Sequence, residues 1–142
     1  MAMLTPMFLM VLSLALGGLP PRPASSLPDA QFVSDLHDKK IDEVLMLFTA
    51  DAVFVEADGT EVHNGPALRA LFEHVAKEFD SSLALQPVMV EQMSRSIKES
   101  GDYKEGLRHR DTGKLDILHG KYVFVGRIDA DGQWRYTRME WH

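Results

Sequence analysis

The feature that most constrains the fold of this chain lies at its C-terminus. Gly120-Lys121-Tyr122-Val123-Phe124-Val125 leads through Asp131-Gly132-Gln133-Trp134 to Trp141-His142. Two β-branched and aromatic runs joined by an Asp-Gly turn predict an apolar hairpin that closes the protein. A hairpin of this kind is marginal alone and needs further strands or helices against its apolar face. At 142 residues, with 45% hydrophobic and 25% charged residues, the chain allows one domain with a real core.

The first 26 residues differ from the rest. Met7 to Leu16 is apolar apart from Ser13, and Gly17, Gly18 and a proline-rich patch ending at Pro23 follow it. The run is shorter than the roughly 20 residues needed to span a bilayer and fits the apolar region of a secretory signal. Ala24, Ser25 and Ser26 offer small residues for cleavage, although no Lys or Arg precedes the run. The expectation is a signal peptide over 1–26 and a domain over 27–142, secreted or periplasmic. The alternative is an uncleaved tail or a mis-called start on a cytoplasmic protein. No cysteine is present, so an exported chain depends on its core and not on disulfides.

Charge removes several partners. The net charge of −6 becomes −7 without the leader, because Arg22 is the one charged residue in it. Nucleic acid demands a basic patch, and an anionic membrane surface is disfavoured for the same reason. No membrane span is expected in the mature chain.

Pattern then assigns the elements. Ser26 reads as an N-cap with Pro28 in the first turn, and Phe32, Val33 and Leu36 supply an apolar face. Ile41, Val44, Leu45 and Phe48 repeat at helical spacing; one kinked helix and two helices both fit. Ala52 to Ala57 reads as a strand ending at Asp58-Gly59. A helix follows from Pro66, with Asn64 as its cap and Leu68, Leu71, Phe72, Val75 and Phe79 as its buried stripe.

Leu83 to Met93 is apolar on both alternating faces and predicts a strand with little solvent on either side, with Pro87 marking a bulge or an edge. Tyr103–Arg110, Leu115–Ile128 and Trp134–Trp141 complete the strands. Helices first and tightly turned strands after them predict an α+β fold with helices on one face of an antiparallel sheet. Curvature in such a sheet leaves a concavity for a small ligand.

Asp51-Ala52-Val53-Phe54 with Asp58-Gly59, Gly65 before a helix, Gly120-Lys121-Tyr122 and Asp131-Gly132-Gln133-Trp134 ending at Trp141 resemble, in order and spacing, the SnoaL-like branch of the nuclear transport factor 2-like superfamily. The likeness spans most of 29–142, and the group related to SgcJ and EcaC is nearest. It implies a cone-shaped α+β barrel, a strongly curved sheet with N-terminal helices on its concave face, usually a homodimer packed through the sheet. Members include polyketide cyclases, isomerase-like and dehydratase-like enzymes and binding domains. Relatives often carry Trp where this chain has Gly126, and an Asp and a terminal Asn where it has Met139 and His142. No catalytic residue is therefore carried over.

Acid–base chemistry on such a fold needs a carboxylate or His desolvated in an apolar pocket, with a Tyr hydroxyl for a developing oxyanion. The candidate ligand-binding residues are Phe54, Glu56, Tyr103, His119, Tyr122, Arg138 and Trp141. Alternation puts His119 with Lys121, Val123 and Val125, and Tyr122 with Phe124 and Gly126. It also puts Trp134, Tyr136, Arg138 and Glu140 on one face, with Thr137, Met139 and Trp141 on the other. Each candidate has a plainer reading: Glu56 as a solvated strand end, Tyr122 and Trp141 as core, His119 as sheet surface, Arg138 with Glu140 as a surface ion pair. The six histidines lack metal-ligand spacing, and no phosphate-binding loop or nucleophile elbow occurs, so no metal or cofactor is expected. Three readings stand: a domain binding a small apolar or aromatic molecule, a cyclase-, isomerase- or dehydratase-type enzyme using the same pocket, or a dimerising accessory module.

Overall fold

The computed structural model describes residues 24–142; the apolar run assigned to a signal peptide lies outside them. Among the described residues three helices, α1 (Asp29–His37), α2 (Ile41–Met46) and α3 (Pro66–Glu78), accompany six strands: β1 (Phe48–Val55), β2 (Glu61–His63), β3 (Phe79–Gln92), β4 (Ser96–His109), β5 (Leu115–Ile128) and β6 (Trp134–Trp141). The strands form one curved, unclosed sheet in the order β2-β1-β6-β5-β4-β3. All neighbours are antiparallel except β1 and β6, which run parallel and join the two halves of the chain. This is the predicted α+β architecture, with one parallel pair in place of a wholly antiparallel sheet.

Among the described residues the stretch before β1 holds two helices, and Phe48, read with the stripe of the second, opens β1 instead. Lys39 takes a left-handed conformation (φ 61°) between them, so the chain turns there and does not kink. Neither predicted cap holds. Pro28 occupies the N-cap of α1 without a side-chain bond, while Ser26 Oγ donates to Gln92 Oε1 at 3.4 Å. Before α3 the N-cap is Gly65 at φ 132°. Asn64 instead braces the turn, donating to the Thr49 carbonyl and accepting from the Gly65 amide, each at 2.8 Å.

The helices lay Phe32, Val44, Leu68 and Phe72 against Phe48, Ile97, Tyr122, Phe124, Tyr136 and Met139 of the sheet. Aromatic edges interlock across the layers: Phe32 and Tyr136 stand 5.8 Å apart at 74°, Phe124 and Tyr136 5.4 Å at 72°. Leu27 also enters this core, its side chain seated over Gly126.

Two strands depart from simple alternation. In β3 the register slips between Pro87 and Met89, and the strand is a sheet edge, so Pro87 marks both a bulge and an edge. Its outer face is wet: Ala84, Gln86, Val88 and Met89 are exposed, which corrects the expectation of burial on both faces. An edge strand with helices on one side has no second layer to cover the other. In β6, Val125 pairs with Arg138 and Gly126 with Tyr136, leaving Thr137 as an extra residue. The bulge turns both Tyr136 and Met139 into the core, which strict alternation forbids.

Candidate functional site

A cavity of about 230 Å³ lies between the helices and the sheet. Phe32 and Leu36 of α1 and Leu71, Phe72 and Val75 of α3 form its roof. Leu83, Leu107, Leu118 and Trp141 line it from the sheet, and Phe54, Glu56 and Ala57 from β1 and the turn after it. Tyr103 and Glu105 complete the wall.

The wall follows from register. On β4, Glu105 stands between Leu83 of β3 and Leu118 of β5, so its carboxyl faces hydrocarbon on both sides. That burial raises its pKa above the usual carboxylate range, opposed by the Ser81 hydroxyl, which donates to Oε2 at 2.9 Å. Two residues back on the same face, Tyr103 has Gly120 as its β5 neighbour. A Cβ on Gly120 would lie 1.9 Å from the His142 carbonyl and 3.1 Å from the Tyr103 ring, so a side chain there would displace both. Burial and then the Glu105 charge raise the Tyr103 pKa. Trp141 meets Tyr103 edge-on, with ring centroids 5.0 Å apart at 84°, and packs on Phe54 at 6.1 Å.

The set therefore presents one partly desolvated carboxyl and one phenol in an otherwise apolar chamber, with Glu56 as its other acid. Such a set can hold an apolar molecule by its surface and orient one polar group on it.

Of the seven residues singled out from sequence, Phe54, Glu56, Tyr103 and Trp141 come together at the cavity. Tyr122 does not line it; the ring is fully buried beside Phe124, and the hydroxyl donates to Glu99 at 2.7 Å. His119 is exposed, with Lys104 as its cross-strand neighbour. Arg138 pairs with Glu140 at 2.7 Å and Glu61 at 3.5 Å, away from the cavity. Sequence reasoning missed Glu105, although it shares a strand face with Tyr103. Among the described residues no group of three or more His, Asp or Glu is placed to hold a metal ion, and no helix is long and apolar enough to cross a membrane.

No protein-family model and no curated protein matches this chain. Solved structures do. A nuclear transport factor 2-like superfamily protein from Salmonella enterica superposes with a TM-score of 0.70 at 15% identity, covering 80% of this chain and 84% of its own. A ketosteroid isomerase-like protein from Erwinia carotovora atroseptica gives 0.69 at 16%, covering 78% and 86%. The fold is nuclear transport factor 2-like. A candidate scytalone dehydratase from Novosphingobium aromaticivorans shares it, at 0.72 and 19% identity over 79% and 76% of the two chains. Identities this low establish the nuclear transport factor 2-like architecture and leave activity to be argued from the site.

Proposed function

We propose that this chain is a binding domain for a small apolar or aromatic molecule, held in the cavity beneath α1 and α3. The observation that carries the reading is the lining: hydrocarbon and aromatic rings throughout, interrupted by Glu56, Tyr103 and Glu105. Engineered apolar cavities of about 150 Å³ already take benzene, so this volume suits a molecule of one or two rings. The polar anchor is Glu105 with Tyr103: protonated, the carboxyl donates to a carbonyl or hydroxyl of the ligand. Export behind the apolar leader belongs to the same reading, as does a homodimer packed through the outer sheet face, where Leu115 and Ile117 are exposed.

Native mass spectrometry of the protein purified from its own host tests this. The expected result is a dimer of chains beginning near Leu27 that carries added small-molecule mass. The added mass should vanish in a Leu83→Trp variant, whose indole fills the chamber. Retention of the same mass by that variant would place the ligand elsewhere.

A second reading, an acid–base enzyme of cyclase, isomerase or dehydratase type, is favoured by one observation. Glu105 is a carboxyl with a raised pKa on the same cavity wall as a phenol. Those are the ingredients of proton transfer next to a carbonyl. Deuterium incorporation at the α-carbon of an enolisable aromatic ketone, lost in Glu105→Gln while the ketone still binds, would support it. Equal incorporation by wild type and variant would leave binding alone.

A further inference from the structure

Outside the cavity, four titratable side chains from four elements meet in the core. Tyr122 of β5 donates to Glu99 Oε2 of β4 at 2.7 Å, and Tyr136 of β6 donates to Asp29 Oδ1, in the first turn of α1, at 2.5 Å. Glu99, Tyr122 and Tyr136 are completely buried. The two pairs act on each other: Glu99 raises the Asp29 pKa both through a side-chain hydrogen bond and through its charge.

Every group acting on this cluster is an acid or a phenol. β4 contributes Glu99 and Asp102, β5 Tyr122, β6 Tyr136 and α1 Asp29, with no Lys, Arg or His among them. From β3, the residue paired with Glu99 is Val90. Both phenol protons are committed, one to each carboxyl. Glu99 Oε1, also buried, then finds no donor among the described residues as long as both acids are ionised. Two carboxylates in contact, desolvated and without a cation, repel strongly, and an unmet acceptor adds its own cost. A single proton on the pair removes both penalties, since a protonated Asp29 donates to Glu99.

We propose that Asp29 and Glu99 share one proton, and that this proton latches the first turn of α1 onto the sheet. The same α1 carries Phe32 and Leu36, which roof the cavity. Loss of the proton to solvent leaves two facing carboxylates and drives that turn away from Glu99, opening the roof. The latch holds whether or not the cavity takes a ligand.

Burial, reinforced by the neighbouring Glu99 and partly offset by the Tyr136 bond, pushes Asp29 up to about 8. Unfolded, the same residue titrates at its ordinary 3.8, so between these values the folded chain binds more protons. Stability from this group is complete below the unfolded value and is lost as pH rises through about 8.

The test is an infrared titration of the full chain, followed in parallel by hydrogen exchange of residues 29–37. The expected result is a protonated-carboxyl carbonyl band at neutral pH that disappears as pH passes about 8. Over the same interval α1 should exchange about ten-fold faster than base catalysis alone accounts for. Asp29→Asn, which keeps the acceptor for Tyr136 and donates an amide proton to Glu99, should lack the component of the band that titrates near about 8, whatever Glu105 contributes, and hold α1 closed. If that variant does not fold, Glu99→Gln is read the same way, and the wild-type titration decides alone if neither folds. A wild type without the band at neutral pH overturns the shared proton, as does stabilisation by calcium in its place. A band lost without faster exchange in α1 overturns the latch.

Discussion

The side chain of Leu27 stands where a Cβ on Gly126 would be: Leu27 Cδ2 is 2.2 Å from that position, and the Arg135 carbonyl is 2.7 Å from it. Gly126 sits beside the β6 bulge, and its missing side chain lets the segment before α1 close over the sheet. Gly126→Ala should therefore destabilise the protein by about 1–3 kcal/mol, the usual cost of overpacking a filled core. Urea unfolding measures it. Shortening Leu27 as well should recover only part of the loss, because the Arg135 carbonyl is backbone and cannot yield.

Removing the Tyr122 hydroxyl leaves Glu99 Oε2 buried without a donor. Tyr122→Phe should cost about 1–3 kcal/mol, the price of one unmet buried acceptor, more when the acceptor is charged. A double-mutant cycle with Glu99→Gln should show coupling between the two positions. Additive losses would mean that the bond contributes nothing of its own.

At the β5–β6 turn, Arg135 binds Asp131 through both terminal nitrogens, at 2.7 and 2.6 Å, and donates from Nε to the Met46 carbonyl at 2.9 Å. The Arg135 hydrogen bonds, helped by the Gln133 amide, lower the Asp131 pKa to about 2. Its folded value is depressed, so this contribution is present above the ordinary 3.8 and fades as pH falls toward about 2. Asp131→Asn should lower the unfolding midpoint near neutral pH and flatten its decline in acid. Carboxyl chemical shifts followed through an acid titration check the wild-type value directly.

Leu115 and Ile117 project from the outer face of β5, half exposed. If two copies pack through that face, Ile117→Lys should halve the mass measured by sedimentation and leave circular dichroism unchanged. Apolar probe binding should survive the change, since neither residue lines the cavity.

Much of the outline was legible along the chain. The stripe Leu68, Leu71, Phe72 and Val75 marked α3 because helical periodicity is a local property, although Phe79, counted in the same stripe, opens β3 instead. Its members divide between two roles, Leu68 in the core and Leu71, Phe72 and Val75 roofing the cavity. Tyr122, Phe124 and Gly126 were correctly placed on one face, since β5 keeps its alternation until the bulge opposite Thr137. Beyond that point parity fails: one unpaired residue re-aims all that follow, and no local pattern announced it.

What the sequence determined by itself is what short-range physics controls: the helical stripes, the tight Asp-Gly turns, the apolar hairpin at the C-terminus and the acidic balance. Tertiary structure alone decided the parallel pairing of β1 with β6, the seat of Leu27 over Gly126, and the meeting of Asp29 with Glu99 across 70 residues. It also chose Glu105 as the carboxyl on the cavity wall. An isolated Asp or Glu reads as a solvated charge wherever it occurs. Only the register of three strands and the docking of a helix remove the water around it, and with the water goes its ordinary chemistry.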